Sequence, residues 1–350
     1  MAEAIATGIC SVKTVGEEAR PAWGRFVARH PAATFFHQWG YRRAVEQCFG
    51  HRPHYLLAER DGEVAGVLPL FELKSRLFGH SLVSLPFAVY GGAVAADDEV
   101  HAALYAHAKA LARNRRTDYL ELRYLEASGL AGEGSDLYVT FRKEISGDDD
   151  ANLKQIPRKQ RRMVRQGGKR GLTHRTGPQE LDAVWELYAE SVHRLGTPVY
   201  PRRWFRTLQE VFGHHCHCLT VRHEGRPVAG VLTFFFKDQV LPYYAGSLAA
   251  YRRLAPNDFM YWQLMRIAAG RGVRLFDFGR SKRGTGAFDF KVHWGFEPAP
   301  LPYLYHVPGG GPRPEVNPTA PGFRRKVEAW KRLPLPVANR LGPWIIRSIP

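Results

Sequence analysis

The chain carries the same unit twice. Phe49-Gly50-His51 leads into an apolar strand, Tyr55-Leu56-Leu57-Ala58, a turn at Asp61-Gly62 and a second apolar run from Val64 to Phe71. Phe212-Gly213-His214 leads into Leu219-Thr220-Val221, a turn at Glu224-Gly225 and the run Val228 to Phe236. Further on, Tyr90-Gly91-Gly92 has a counterpart in Tyr244-Ala245-Gly246, and the strand-like segment 119–123 in 275–280. The offset is 163 residues at Phe49 and Phe212 and 156 at Tyr119 and Leu275, a drift that loop insertions and deletions absorb. Duplication predicts two similar lobes, and two lobes can hold two substrates between them while only one supplies the reactive groups.

Each copy has one coarse order: a helix (39–48 and 201–211), a hairpin, a further strand, a helix (101–114 and 257–269) and a last strand. Segment 101–114 is rich in alanine, the strongest helix former. For its counterpart, Asn257 is a fitting cap and Gly270 a fitting stop. Strand, helix, strand reads as a crossover between parallel neighbours, whereas the hairpin before it is antiparallel. Each lobe is therefore expected to be an α/β sandwich on a mixed sheet. At 350 residues the chain is long enough for both lobes to bury their own cores. The polar join Ser146-Gly147-Asp148-Asp149-Asp150 and the linker Pro308-Gly309-Gly310-Gly311-Pro312 divide it into 1–147, 148–307 and a tail, 308–350.

The formal charge of +17 favours polyanionic partners: nucleic acid, phosphate-bearing substrates or an acidic membrane surface. The four cysteines, Cys10, Cys48, Cys216 and Cys218, form no CxxC pair, which fits a reducing compartment. The first 21 residues lack a basic leader with a sustained apolar core, and the longest nearly apolar run, 228–236, is about half of a spanning helix. A cytoplasmic protein is expected. His214-His215-Cys216-His217-Cys218 sets five ligand types in a row, but adjacent strand residues face opposite ways, so no metal is expected there. Neither cysteine of that run has an evident base to make it a nucleophile.

Nine lysines or arginines and no acid lie in 154–175. Pro157 suits the first turn of a helix that Gly167-Gly168 would end. On it Arg158, Arg161 or Arg162, Arg165 and Lys169 recur every three or four residues over Ile156 and Met163. Such a stripe either holds phosphate by charge or is a solvated surface. No aromatic residue interleaves, so contact with nucleic acid would be to its backbone.

The densest chemistry lies at 276–296. A buried strand delivers Asp277 and Arg280 to its end. Arg280, Lys282 and Arg283, with Gly284 and Gly286, then form a cationic loop whose glycines expose N–H groups to an anion. Lys291 follows between aromatic neighbours, expected as an exposed cleft ammonium beside an oxyanion or a phosphate. The phosphate loop GxxxxGK[ST] is absent.

The helix opening at Pro256-Asn257-Asp258, the strand Phe276-Asp277-Phe278-Gly279, the glycine loop, and Phe290-Lys291 followed by Gly295-Phe296 resemble the C-terminal half of Fem-type peptidyltransferases and their acetyltransferase-like relatives. The resemblance covers residues 34–306. More narrowly, Ile156-Pro157-Arg158-Lys159-Gln160-Arg161-Arg162, the loop 278–291 and the tail pieces Trp330-Lys331-Arg332-Leu333-Pro334-Leu335 and Leu341-Gly342-Pro343 resemble the Fem-like proteins that accompany exosortase and PEP-CTERM exopolysaccharide systems. This resemblance implies two GNAT-like lobes facing a shared cleft, and transfer of an acyl or aminoacyl group to an amine in peptidoglycan, exopolysaccharide or other cell-envelope assembly.

Residue by residue, the resemblance implies Phe290 and Lys291 at the donor end, with Lys291 on the reacting carbonyl. It implies a donor-side aromatic at Tyr243 or Tyr244, and acceptor-diphosphate contacts at Arg42 or Arg43 and at Arg202 or Arg203. Backbone amides at Gly284 to Gly286 would join Lys291 at the oxyanion, with Asp277 or Asp289 orienting the amine or taking its proton. The long helical arm that some Fem proteins use for tRNA is missing, and neither copy carries the [QR]xxGx[GA] loop for acetyl-CoA. The donor is thus aminoacyl-tRNA or acyl-CoA, with no permanently bound cofactor, and the acceptor a phosphate-bearing or lipid-linked glycan or peptidoglycan precursor.

In the tail, Phe323, Val327 and Trp330 share a helical face while Arg324, Arg325, Lys326, Lys331 and Arg332 crowd the others. That pattern either docks on the anionic inner face of the cell membrane or packs across the second lobe. Two other functions fit the chain: acyl-CoA-dependent acetylation of a small amine or sugar, and a non-catalytic polyanion-binding module of polysaccharide machinery. The pattern specifies no oligomeric state.

Overall fold

Between 39–62 and 202–225 the helix, the hairpin and its turn recur at an offset of 163, and only the connection differs, with a short strand at Arg52–Pro53 in one copy and a 3-10 turn at Gly213–His215 in the other. Helices Trp39–Phe49 and Arg202–Phe212 both stop at a glycine of positive φ, Gly50 at 66° and Gly213 at 53°, a conformation that a Cβ disfavours. The hairpins that follow, Tyr55–Arg60 with Glu63–Leu68 and Cys216–His223 with Arg226–Phe236, turn on Asp61-Gly62 (φ 53° and 80°) and Glu224-Gly225 (φ 50° and 79°). Two consecutive positive φ values are those of a type I′ turn, whose twist matches the strands it joins. Each hairpin also breaks register at the equivalent step, between Ala58 and Glu59 and between Val221 and Arg222.

The computed structural model describes residues 10–75, 78–127, 129, 138–311 and 321–349. It divides into two units, one of residues 1–136, 301–316 and 348–350, the other of 137–300 and 317–347. In the first, a four-stranded antiparallel sheet orders Ser11–Val15, Tyr55–Arg60, Glu63–Leu68 and Val94–Ala95. A five-stranded sheet orders Tyr303–His306, Tyr119–Arg123, Gly79–Val83, Phe71–Ser75 and Arg52–Pro53. Gly79–Val83 runs parallel to Tyr119–Arg123, joined through helix Asp98–Arg115, which packs Val100, Leu104 and Ala108 on the core.

The second unit has one mixed sheet: Thr173–Thr176, Cys216–His223, Arg226–Phe236, Gln239–Ser247, Leu275–Asp277, Tyr138–Glu144 and Ser281–Lys282, with Pro298–Pro300 also on Tyr138–Glu144. Its parallel pair, Gln239–Ser247 with Leu275–Asp277, is joined through helix Pro256–Gly270, so both units contain the expected crossover.

Several boundaries differ from the sequence reading. Strand Tyr138–Glu144 lies before the join expected at 147, yet it belongs to the second unit because it pairs with Leu275–Asp277. Strand Tyr303–His306 returns to the first unit by pairing with Tyr119–Arg123. The crossover helix starts at Pro256, with Ala255 in the cap position at φ 57° and Asn257 inside the first turn. The basic helix, Arg158–Lys169, runs through Gly167 and Gly168 instead of stopping at them. A Cβ at Gly167 would lie 2.9 Å from Phe259 Cβ, so that glycine lets two helices pack closely. Ile156 and Val164, not Met163, are the buried anchors.

The tail forms helices Pro321–Lys331 and Leu335–Ile346, both packed on helix Leu181–Leu195 of the second unit. Val327 meets the backbone of Gly196 there and Trp330 is half-buried, so of the two alternatives for this tail face these two residues take the one of packing on the second unit. The side chain of Phe323 lies outside the described residues. Among the described residues no helix is long and apolar enough to cross a membrane.

Candidate active site

The pleat of strand Leu275–Asp277 sends Phe276 into the core and sets Asp277, 1% exposed, on the other side. Asp277 is the register partner of Arg142, and its Oδ2 lies 3.3 Å from Arg142 Nε. Its Oδ1 accepts the Gly279 backbone N–H at 2.7 Å, drawing the chain into a corner at which Gly279 has φ 64°.

Helix Gly286–His293 closes this corner. Thr285 caps the helix, accepting the Phe288 N–H at 3.3 Å and donating to the Lys282 carbonyl at 2.8 Å. From the inner face, Lys291 Nζ donates to the carbonyls of Phe278 (2.7 Å), Gly279 (2.9 Å) and Arg280 (3.2 Å). An ammonium has three hydrogens, and these acceptors occupy all of them. The Phe141 and Phe278 ring centres lie 5.4 and 5.9 Å from Nζ. Burial pulls the Lys291 pKa down to about 7, against the upward pull of Asp277. The three carbonyls likewise favour the charged form.

This corrects the expectation of an exposed cleft lysine: Lys291 is 9% exposed and helical. Its helix must turn Phe288, Phe290 and Trp294 toward the core, and Lys291 shares that side. Phe290 is half-buried, its ring 5.5 Å from Tyr261 and 5.9 Å from Trp294.

Outside the corner, Arg283, Gly284, Gly286 and Asp289 are exposed and Lys282 is half-buried, its pKa lowered by burial. The Arg280 guanidinium sits 4.4 Å from the Tyr138 ring centre. A Cβ at Gly284 or Gly286 would meet nothing within 4 Å, so this stretch of backbone is open to a ligand. Beneath the helix, Asp258 accepts the Trp294 indole N–H at 3.0 Å, and burial raises its pKa to about 6.

The basic helix begins next to the end of this assembly, since a Cβ at Gly295 would lie 2.9 Å from Pro157 Cδ. Arg158, Arg162 and Arg165 are exposed and Arg161 half-buried, and none of the four has an ion-pair partner among the described residues.

The other expected residues separate into engaged and exposed ones. Tyr244 is buried and accepts the Trp204 indole N–H at 2.8 Å, whereas Tyr243 is half-exposed. Arg42 donates to the Val15 carbonyl at 3.1 Å, pairs with Glu46 and lies over Trp39; Arg43 is exposed. Arg202 pairs with Glu186 at 2.9 Å and lies over Trp185; Arg203 is exposed. Cys216 and Cys218 are buried, and burial pushes the Cys218 thiol up to about 12. Among the described residues no group of three or more His, Cys, Asp or Glu is placed to hold a metal. Sequence reasoning gave Arg142 and Asp258 no role, because their roles depend on strand register and on a helix-to-helix contact that no local pattern displays.

Residues 151–292 match the family model of the acetyltransferase (GNAT) domain, a stretch that includes the basic helix and Lys291. Among solved structures the chain is similar to FemX, with a TM-score of 0.67 and 17% identity, covering 85% of this chain and 97% of that one. It is also similar to a tandem GNAT protein from the clavulanic acid biosynthesis pathway, with a TM-score of 0.56 and 14% identity, covering 87% of this chain and 100% of that one. At these identities the likeness is one of fold, two GNAT-like units in tandem. No curated protein matches the sequence.

Proposed function

With a GNAT acetyltransferase domain at residues 151–292 as the premise, we propose that the protein is an N-acyltransferase. It passes an acyl or aminoacyl group to an amine of a phosphate-bearing cell-envelope or exopolysaccharide precursor on the cytoplasmic side of the membrane. The observation that carries this reading is the corner at Phe278–Arg280, held by Lys291 beside an open glycine loop within the matched domain.

The acceptor nitrogen attacks the acyl carbonyl carbon. A C–N bond forms, the ester C–O or thioester C–S bond breaks, and the proton lost by nitrogen ends on the leaving hydroxyl or thiol. Lys291 fixes the corner and adds positive charge beneath it, while the N–H groups of 284–286 face the developing oxyanion. Asp289, exposed in the first turn of the lysine helix, takes the amine proton. Asp277 with Arg142 sets the angle of the corner, and Arg158, Arg161, Arg162 and Arg165 hold the phosphate by charge.

The tandem GNAT structure is described as free of AcCoA, which makes acyl-CoA the first donor to test and aminoacyl-tRNA the second. Purified protein, each donor and a pool of lipid-linked and nucleotide-linked precursors are incubated, and mass spectrometry reads the acceptors. An added acyl or aminoacyl mass that disappears in Lys291→Met supports the reading. No added mass with either donor, together with unchanged precursors in cells lacking the protein, overturns it in favour of a polyanion-binding module.

A further inference from the structure

Five large apolar side chains are exposed among the described residues, and three of them, Val337 (42%), Leu341 (45%) and Trp344 (73%), lie on the last helix. Their spacing of four and three residues puts them on one face of Leu335–Ile346. The opposite face is the packed one: Ala338, Gly342 and Ile346 are buried, and a Cβ at Gly342 would lie 2.8 Å from the backbone of Val199. The outward face of a helix docked on a globular unit is ordinarily polar. Here it is apolar, and the cations flank it.

Arg340 and Arg347 fall three residues from Val337 and Trp344, both exposed, and the helix contains no acid. The neighbouring tail helix adds exposed Arg325, and the turn that follows it exposed Arg332. Neither these two nor Arg340 has an ion-pair partner among the described residues. Three side chains are far too little apolar surface for a stable protein interface, which takes on the order of 1,000 Å² or more. A tryptophan, a leucine and a valine rimmed by arginines instead match the boundary of a bilayer, where rings and short apolar chains enter the acyl edge and guanidinium groups stay with the headgroups.

We propose that Val337, Leu341 and Trp344 form a membrane-seating face, and that the partner is a bilayer rich in anionic lipid. The face belongs to the second unit and is independent of the reaction that unit carries out. Its orientation is fixed by the packing of Ala338, Gly342 and Ile346, so the helix lies in the plane of the surface.

The test is flotation of the full chain with vesicles of phosphatidylcholine alone or with phosphatidylglycerol. Wild type is expected to float with the anionic vesicles and to be released by high salt. Leu341→Ser with Trp344→Ser is expected to weaken binding at least tenfold. Arg340→Gln should weaken it about fivefold on anionic vesicles only, since a basic residue near such a surface contributes about that factor. Melting temperatures should stay within a few degrees of wild type, because the altered side chains are exposed. Equal binding by the double serine variant, or absence of wild-type binding to anionic vesicles, overturns the proposal. So does a wild-type dimer in sedimentation that the double variant dissolves, which would make a second copy the occupant.

Discussion

Lys291 commits its whole ammonium group to the carbonyls of Phe278, Gly279 and Arg280, so its removal affects shape as well as chemistry. Lys291→Ala leaves two buried acceptors and one part-buried acceptor without their donor, and we expect a loss of roughly 2–4 kcal/mol of stability along with the loss of transfer. Denaturant unfolding measures the first, and product formation per folded molecule the second. Asp258 permits a cleaner titration. Its folded pKa of about 6 lies above the ordinary aspartate value of 3.8, so between these values the native state holds a proton that the unfolded chain has released. Stability therefore falls as pH rises from about 4 through 6 and is level above that window. The full effect is roughly 2–3 kcal/mol. Asp258→Asn, which keeps an acceptor for the Trp294 indole, should remove this slope while other groups continue to titrate. Unfolding curves across the window check it, and an identical slope in both proteins would refute the assignment.

The basic helix Arg158–Lys169 is seated by Ile156, Val164 and Gly167, so its arginines are free to act on something else. Replacing Arg158, Arg161, Arg162 and Arg165 together with Gln is expected to raise KM for a phosphate-bearing acceptor about tenfold or more, with a smaller effect on kcat. The salt dependence of affinity should flatten, because fewer counterions are displaced when fewer cations meet the phosphate. Wild-type affinity with an unchanged salt slope would assign phosphate binding to Arg280, Lys282 and Arg283. The existence of this helix was legible from its charge run, but its end was not. Two adjacent glycines read locally as a stop, and only the proximity of Phe259 shows that Gly167 belongs to a helix contact. Lys291 was legible as a residue to single out; its burial was not, since the carbonyls it caps lie eleven to thirteen residues earlier in the chain.

Over the molecule, duplication was legible because it fixes local chemistry: glycine stops, paired positive-φ turns and the register step recur at 163 residues. Membership of the sheets was not legible, because the last strand of the first unit, Tyr303–His306, is encoded after nearly all of the second. Leu304→Pro, which leaves the tail helices in place, should break the pairing that covers Tyr119–Arg123 and disturb the 2.6 Å hydrogen bond from the Tyr303 hydroxyl to the Val89 carbonyl. Protease digestion is expected to degrade the first unit while sparing the core around Phe276 and Phe278, and equal resistance of both would refute this. The same interleaving sets a timetable for synthesis. A ribosome adding 5–20 residues per second needs roughly 10–40 s to travel from Arg123 to His306. For that interval the nascent first unit holds an open strand edge, Tyr119 to Arg123, with no native neighbour on one side. Such edges recruit other chains, so we expect holding chaperones to matter more for the yield of this protein than its final stability would suggest.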